Sequence, residues 1–156
     1  MAGSSGESVE AAAMRECREE TGLHIGPDRI HGRLDDSWNG AGFRIAPVVA
    51  SVETPVSPAV RTSELVAVAT VPLALLADPA AHRIVDVDID GRRFHDRHVR
   101  VDHDGSDWSL QGPTADIVHD LLTWLGGDDP DDHDRRQGDL THFAASRWPQ
   151  PPSRDL

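Results

Sequence analysis

Glu16, Glu19 and Glu20 are the residues of this chain whose types and spacing could do chemistry. Helical residues three and four apart are surface neighbours, so these carboxylates share a face and repel one another unless something positive joins them. A divalent cation is the natural answer to that repulsion. Arg15 stands four residues before Glu19, within helical reach of that carboxylate.

The helix that must carry these groups has its own start and stop signals. Ser8 can cap it, Val9, Ala13 and Cys17 form an apolar stripe on the opposite side, and Gly22 suits a left-handed end with Leu23 folding back. Glu7, just ahead, is favourably placed against the helix dipole; it reads either as a brace for the preceding loop or as a helix-capping acid. A bare E-x-x-E-E on a helix is ordinarily a solvated face, and only a longer pattern makes it specific. From Glu7 to Leu23 the chain resembles the Nudix hydrolase signature G-x5-E-x7-R-E-U-x-E-E-x-G-U, with Cys17 in the bulky apolar slot U.

That resemblance implies an α+β protein of the Nudix fold, an α/β/α sandwich around a mixed sheet. It implies Glu16, Glu19 and Glu20 as ligands of Mg2+ or Mn2+, with Arg15, Glu19 and Glu20 in the catalytic machinery. Glu64 is a weaker candidate for a general base or further ligand, since several Nudix enzymes carry a functional acid near this place; the alternative is a solvated loop glutamate. The signature's opening glycine falls on Met1, so the chain is expected to be the C-terminal part of a Nudix domain, lacking its N-terminal strands through a late start codon or a truncated gene model.

Composition narrows the class. The length of 156 residues suits one domain, residues 1–126, with an acidic, Pro-rich tail, residues 127–156. No apolar run approaches the ~20 residues that span a bilayer, and no targeting pattern opens the chain, so a cytoplasmic location is expected. A net charge of −12 argues against nucleic-acid and anionic-membrane partners, and an anionic substrate needs local cations. All 15 basic side chains are arginine. The single cysteine excludes an internal disulfide and reads as a small core residue.

Beyond the helix, the chain reads as strands and turns. His24 to Leu34 is expected to be a turn and a strand, and residues 35–40 a loop. Phe43 to Val52 reads as a strand covered on both faces, with Pro47 demanding an edge or a bulge, and Leu65 to Val71 as another strand. A short helix follows Pro72; Ile84 to Ile89 and Phe94 to Val101 form a hairpin about Asp90-Gly91, and Trp108 and Leu110 mark one more strand. A closing helix over Thr114 to Leu125 presents Val118, Leu121, Leu122 and Leu125 and stops at Gly126-Gly127. From Asp128 onward the chain is expected to be disordered, touching down at Phe143 and Trp148.

Gly42-Phe43-Arg44-Ile45-Ala46-Pro47-Val48-Val49, Ser63-Glu64-Leu65 with Val71-Pro72-Leu73, and Gly112-Pro113-Thr114-Ala115-Asp116-Ile117 resemble the coenzyme A pyrophosphatase branch of the superfamily. The implied reaction is metal-dependent hydrolysis of the diphosphate bond in a nucleoside diphosphate linked to another moiety, with coenzyme A as one such substrate and a homodimer as the expected assembly. The alternative is a non-catalytic remnant or binding module. His95, His98 and His103 cluster on one strand, but 95 and 98 have opposite parity and are not expected to share a metal. Trp38 either stacks on a base or anchors its turn. With strands missing, low stability and exposed apolar sheet surface are expected.

Overall fold

The computed structural model describes residues 6–39, 42–89 and 91–126. In chain order the elements are α1 (Val9–Thr21), β1 (Ile30–Arg33), β2 (Ser37–Trp38), β3 (Arg44–Ile45), β4 (Val48–Ala50), α2 (Leu73–Leu76), β5 (His82–Ile89), β6 (Arg92–His103), β7 (Ser106–Gln111) and α3 (Pro113–Gly126). This is the expected α+β class. The chain divides into two compact units, one from residues 1–35 and 46–70, the other from residues 36–45 and 71–156. Among the described residues every strand pair is antiparallel, whereas a mixed sheet was expected. Antiparallel strands can be joined by two-residue turns, and the three-stranded sheet of the second unit uses such turns throughout.

In the first unit, Ser8 caps α1 by accepting a hydrogen bond from the Ala11 amide at 3.1 Å. β1 pairs with β4, with a register irregularity between Ile30 and Gly32, and α1 packs on β4. The expected continuous strand from Phe43 to Val52 is in fact two. Pro47 has no amide to give the ladder, so Arg44–Ile45 pairs with β2 while Val48–Ala50 pairs with β1. Residues 35–40 accordingly include a strand, Ser37–Trp38, where a loop was expected, and Trp38 is held in that pairing.

The strand expected over Leu65 to Val71 does not form: the segment is irregular and Val66 is 99% exposed. A strand is stabilised by the neighbour it pairs with, and among the described residues none lies alongside. Residues 59–61 bind the end of α1 instead, through Ala59 N to Thr21 O and Arg61 N to Glu20 O, both 2.9 Å.

In the second unit β5, β6 and β7 form a meander. Ile89 faces Arg92 across the two-residue Asp90-Gly91 turn, of which Asp90 lies outside the described residues. His103 faces Ser106 across Asp104 and Gly105, whose φ values of 50° and 72° are those of a type I′ turn. α3 packs on β6 and β7, completely burying Val99 and Ala115. Leu125, expected on the packing face of α3, is instead 51% exposed, and the buried side begins at Ala115 and Asp116. Gly127 and the expected tail, with Phe143 and Trp148, lie outside the described residues.

Between α3 and the sheet lies a polar cluster. Arg97 of β6 and Asp116 of α3 are 11% and 14% exposed, with Arg97 Nε 3.6 Å from Asp116 Oδ1, an ion pair too long to be a hydrogen bond. The His82 and His119 rings meet edge to face with centroids 6.1 Å apart. Buried Asp116 Oδ1 and His82 Nδ1 have no hydrogen-bond partner among the described residues. Burial pushes the Asp116 carboxyl up to about 7, opposed by Arg97 and reinforced by Asp120 and Asp96; burial likewise lowers Arg97. A carboxyl raised on folding binds its proton more tightly in the native state, so its contribution is complete below pH ~4 and is lost as pH rises towards 7. The thermal midpoint is therefore expected to fall between pH 5 and pH 8, with this group contributing a loss of up to ~3 kcal/mol in stability over that window. Asp116→Asn should flatten that slope, measured by thermal melts across the pH range; an unchanged slope contradicts the assignment.

Candidate functional site

The carboxylate face of α1 is organised by one guanidinium. Arg15 grips Glu7 with two parallel hydrogen bonds, Nε to Oε1 at 3.1 Å and Nη2 to Oε2 at 3.2 Å. It donates through Nη1 to Glu19 Oε2 at 3.1 Å and through Nη2 to Glu16 Oε1 at 3.4 Å. The contact with Glu19 is the i,i+4 geometry of a helix, while Glu7 reaches Arg15 because it sits just outside the cap, eight positions upstream. The hydrogen bond that Arg15 donates to Glu7, then the field of Glu7 and Glu19, holds the guanidinium charged well beyond its ordinary range. Glu7 thus braces the approach to the helix, while the cap itself is Ser8.

The helix end is equally defined. Gly22 adopts φ 75°, and its amide bonds to Arg18 O at 3.0 Å. Thr21 Oγ1 donates to Cys17 O at 2.6 Å and accepts from the Leu23 amide at 3.3 Å, so one hydroxyl closes the last turn and starts the departing chain. Cys17 is half-buried, with Sγ 3.6 Å from Thr21 Oγ1. A Cβ at position 22 would collide with Nε of Arg61 and stand 2.9 Å from its Cζ and Nη2, so the Arg61 side chain lies flat across Gly22.

The structure places Glu16, Glu19 and Glu20 on one helix, Glu16 and Glu19 in contact with Arg15. The Glu20 carboxylate has no partner among the described residues, although its backbone carbonyl accepts from Arg61. Glu64 sits exposed on a turn. Among the described residues no three acidic, histidine or cysteine side chains converge on a common metal position, so neither Glu64 nor any pair of the helix glutamates completes a ligand set as the side chains stand. The donor chemistry fits a hard divalent ion: the carboxylates lie near one another on an accessible surface, and Glu20 is uncommitted. The β6 histidines each take a separate carboxylate, His95 with Asp86, His98 with Asp96 and His103 with Asp104.

Two features escape the sequence reading: the grip of Arg15 on Glu7, and the placement of Arg61 over Gly22. The first has a signal in the acid standing immediately before the helix cap, on the side that Arg15 can reach back to. The second has none, because residues 59–61 approach the helix through tertiary structure alone. Beside Gly22 opens a cleft of about 450 Å³, walled by Leu23, His24, Arg29, Val52, Glu53 and Val56, in which Arg29 is paired with Glu53. No described helix is long and apolar enough to cross a membrane.

The family model described as NUDIX domain matches residues 4–88. No curated protein matches the chain. Replacing Arg15 with Gln should lower the thermal midpoint, because Glu7, Glu16 and Glu19 lose the charge that joins them. The loss should shrink as salt is raised from 0.05 to about 1 M, where the remaining repulsion is screened over ~3 Å. Melts at the two salt concentrations that show equal losses would rule out this account.

Proposed function

Because the chain belongs to the NUDIX domain family, we propose that it is a metal-dependent pyrophosphohydrolase cleaving the diphosphate bond of a nucleoside diphosphate linked to another moiety, with coenzyme A as the leading substrate. The observation that carries the reading is the acidic face of α1 built around Arg15, within the matched residues. Glu16, Glu19 and Glu20 would hold Mg2+ or Mn2+. A bound ion of this kind neutralises diphosphate oxygens and lowers the pKa of the attacking water.

The chain's own residues supply the rest. Arg15 orients Glu19 through one hydrogen bond and is itself anchored by Glu7 at the approach of the helix. Glu20 has a carboxylate ready for a ligand. Glu64 is the offered general base, accepting the proton of the attacking water. Coenzyme A rests on the resemblance of Gly42 to Val49, of Ser63 to Leu73 and of Gly112 to Ile117 to the coenzyme A pyrophosphatase branch.

A second reading, a non-catalytic binding module, is favoured by one observation: Arg15 already neutralises two of the three glutamates, and no ligand set converges among the described residues. Two measurements separate the readings. With Mg2+, the chain should release monophosphate products from coenzyme A or a related nucleoside diphosphate derivative, and Glu19→Gln or Glu20→Gln should abolish release and weaken Mn2+ binding followed by electron paramagnetic resonance. Arg15→Ala, which acts through its neighbours, should cost ~10–100-fold. Mn2+ binding without turnover supports the binding module, and unchanged turnover in both glutamate variants removes the metal assignment.

A further inference from the structure

We infer that Arg61 is a substrate-binding residue that takes the diphosphate oxygens at the end of α1; the inference rests on the pyrophosphohydrolase reading above. An anionic substrate approaching a chain of net charge −12, beside three glutamates, meets repulsion unless a cation stands within reach. Within this unit Arg15 is engaged by Glu7, Glu16 and Glu19, Arg29 by Glu53 and Asp28, and Arg33 also has a partner. Arg61 takes part in no ion pair among the described residues. Its guanidinium is nonetheless placed, lying across Gly22, while its own amide is bonded to the carbonyl of Glu20, the glutamate without a partner.

This placement makes use of Gly22 twice. The glycine ends the helix in a left-handed conformation, and its missing side chain is the space that the guanidinium occupies. Gly22 also borders the cleft of about 450 Å³, a volume that suits a small-molecule group. A diphosphate bridging the glutamate face and Arg61 would therefore direct its attached moiety into that cleft. The planar fork of an arginine suits two phosphate oxygens at once. Arg18 is the competing cation, exposed on the last turn of α1 and likewise outside every ion pair among the described residues, but the guanidinium that lies against Gly22, at the border of the cleft, is that of Arg61.

The test uses the full chain with methylenediphosphonate, a non-hydrolysable diphosphate, as the probe, titrated by calorimetry with and without Mg2+, and Mn2+ alone followed by electron paramagnetic resonance. Arg61→Gln should weaken methylenediphosphonate binding at least ~10-fold, because a charge-assisted contact is lost, and leave Mn2+ binding unchanged. Arg61→Lys should restore part of the affinity, and Arg18→Gln should stay within about twofold of the unmodified chain. The link to Glu20 runs through the backbone of Arg61, so these variants keep it, and an unchanged melt verifies folding. Undiminished affinity in Arg61→Gln overturns the inference, as does an equal loss in Arg18→Gln, which would mark a net-charge effect. Failure of the unmodified chain to bind Mn2+ overturns the metal reading instead, and the titrations without Mg2+ still decide the role of Arg61.

Discussion

The Arg15 guanidinium is the constraint on which the carboxylate face of α1 depends. Five acidic side chains, Glu7, Glu10, Glu16, Glu19 and Glu20, stand along or just before a single short helix, and three of them meet at one cation. The arrangement is directional. Glu7 receives two parallel bonds and fixes the plane of the guanidinium, and that plane then determines where the remaining donors point, towards Glu19 and Glu16. Glu7 is the least exposed of the paired carboxylates, which makes it the anchor and the others the adjustable members.

This charge arrangement leaves an imbalance that gives the site its character. One guanidinium cannot offset all these carboxylates, and on the face shared with Glu16 and Glu19 it is Glu20 that Arg15 leaves over. Exposed carboxylates retain enough rotational freedom to turn towards an arriving ion at small cost, so the uncongregated side chains of this structure and a ligand role for them are compatible. The second unit handles charge differently. There Arg97 and the acids Asp96, Asp116 and Asp120 are brought together against a packed helix, where desolvation rather than mobility governs which of them carries a charge.

Local features of the chain were legible because local physics determines them. Ser8, Gly22 and the 3–4 spacing of acids define α1 without reference to the rest of the molecule, and the Asp90-Gly91 pair marks a turn whose strands follow by alternation. What depended on a partner was not legible. Leu65 to Val71 has the composition of a strand but no strand beside it among the described residues, and Phe43 to Val52 reads as one continuous run although Pro47 divides it between two pairings. On α3, the leucine periodicity is real, yet Asp116 and His119 sit against the sheet while Leu125 faces solvent, because the strand opposite presents Arg97 and the first residue of β5 is His82. The same distinction applies to the site: the acids and Arg15 are written in one short segment, whereas the approach of Arg61 belongs to tertiary structure.

The two bonds from residues 59 and 61 to the end of α1 have a consequence for how this region can vary. The amides of residues 59 and 61 point at the helix, and Val60 between them is 43% exposed. Deleting or inserting one residue upstream in the connecting segment would reverse that alternation, presenting valine where arginine now rests and turning the guanidinium away. Changes of length by odd numbers are therefore costly, and the segment behaves as a ruler although it has no regular secondary structure of its own.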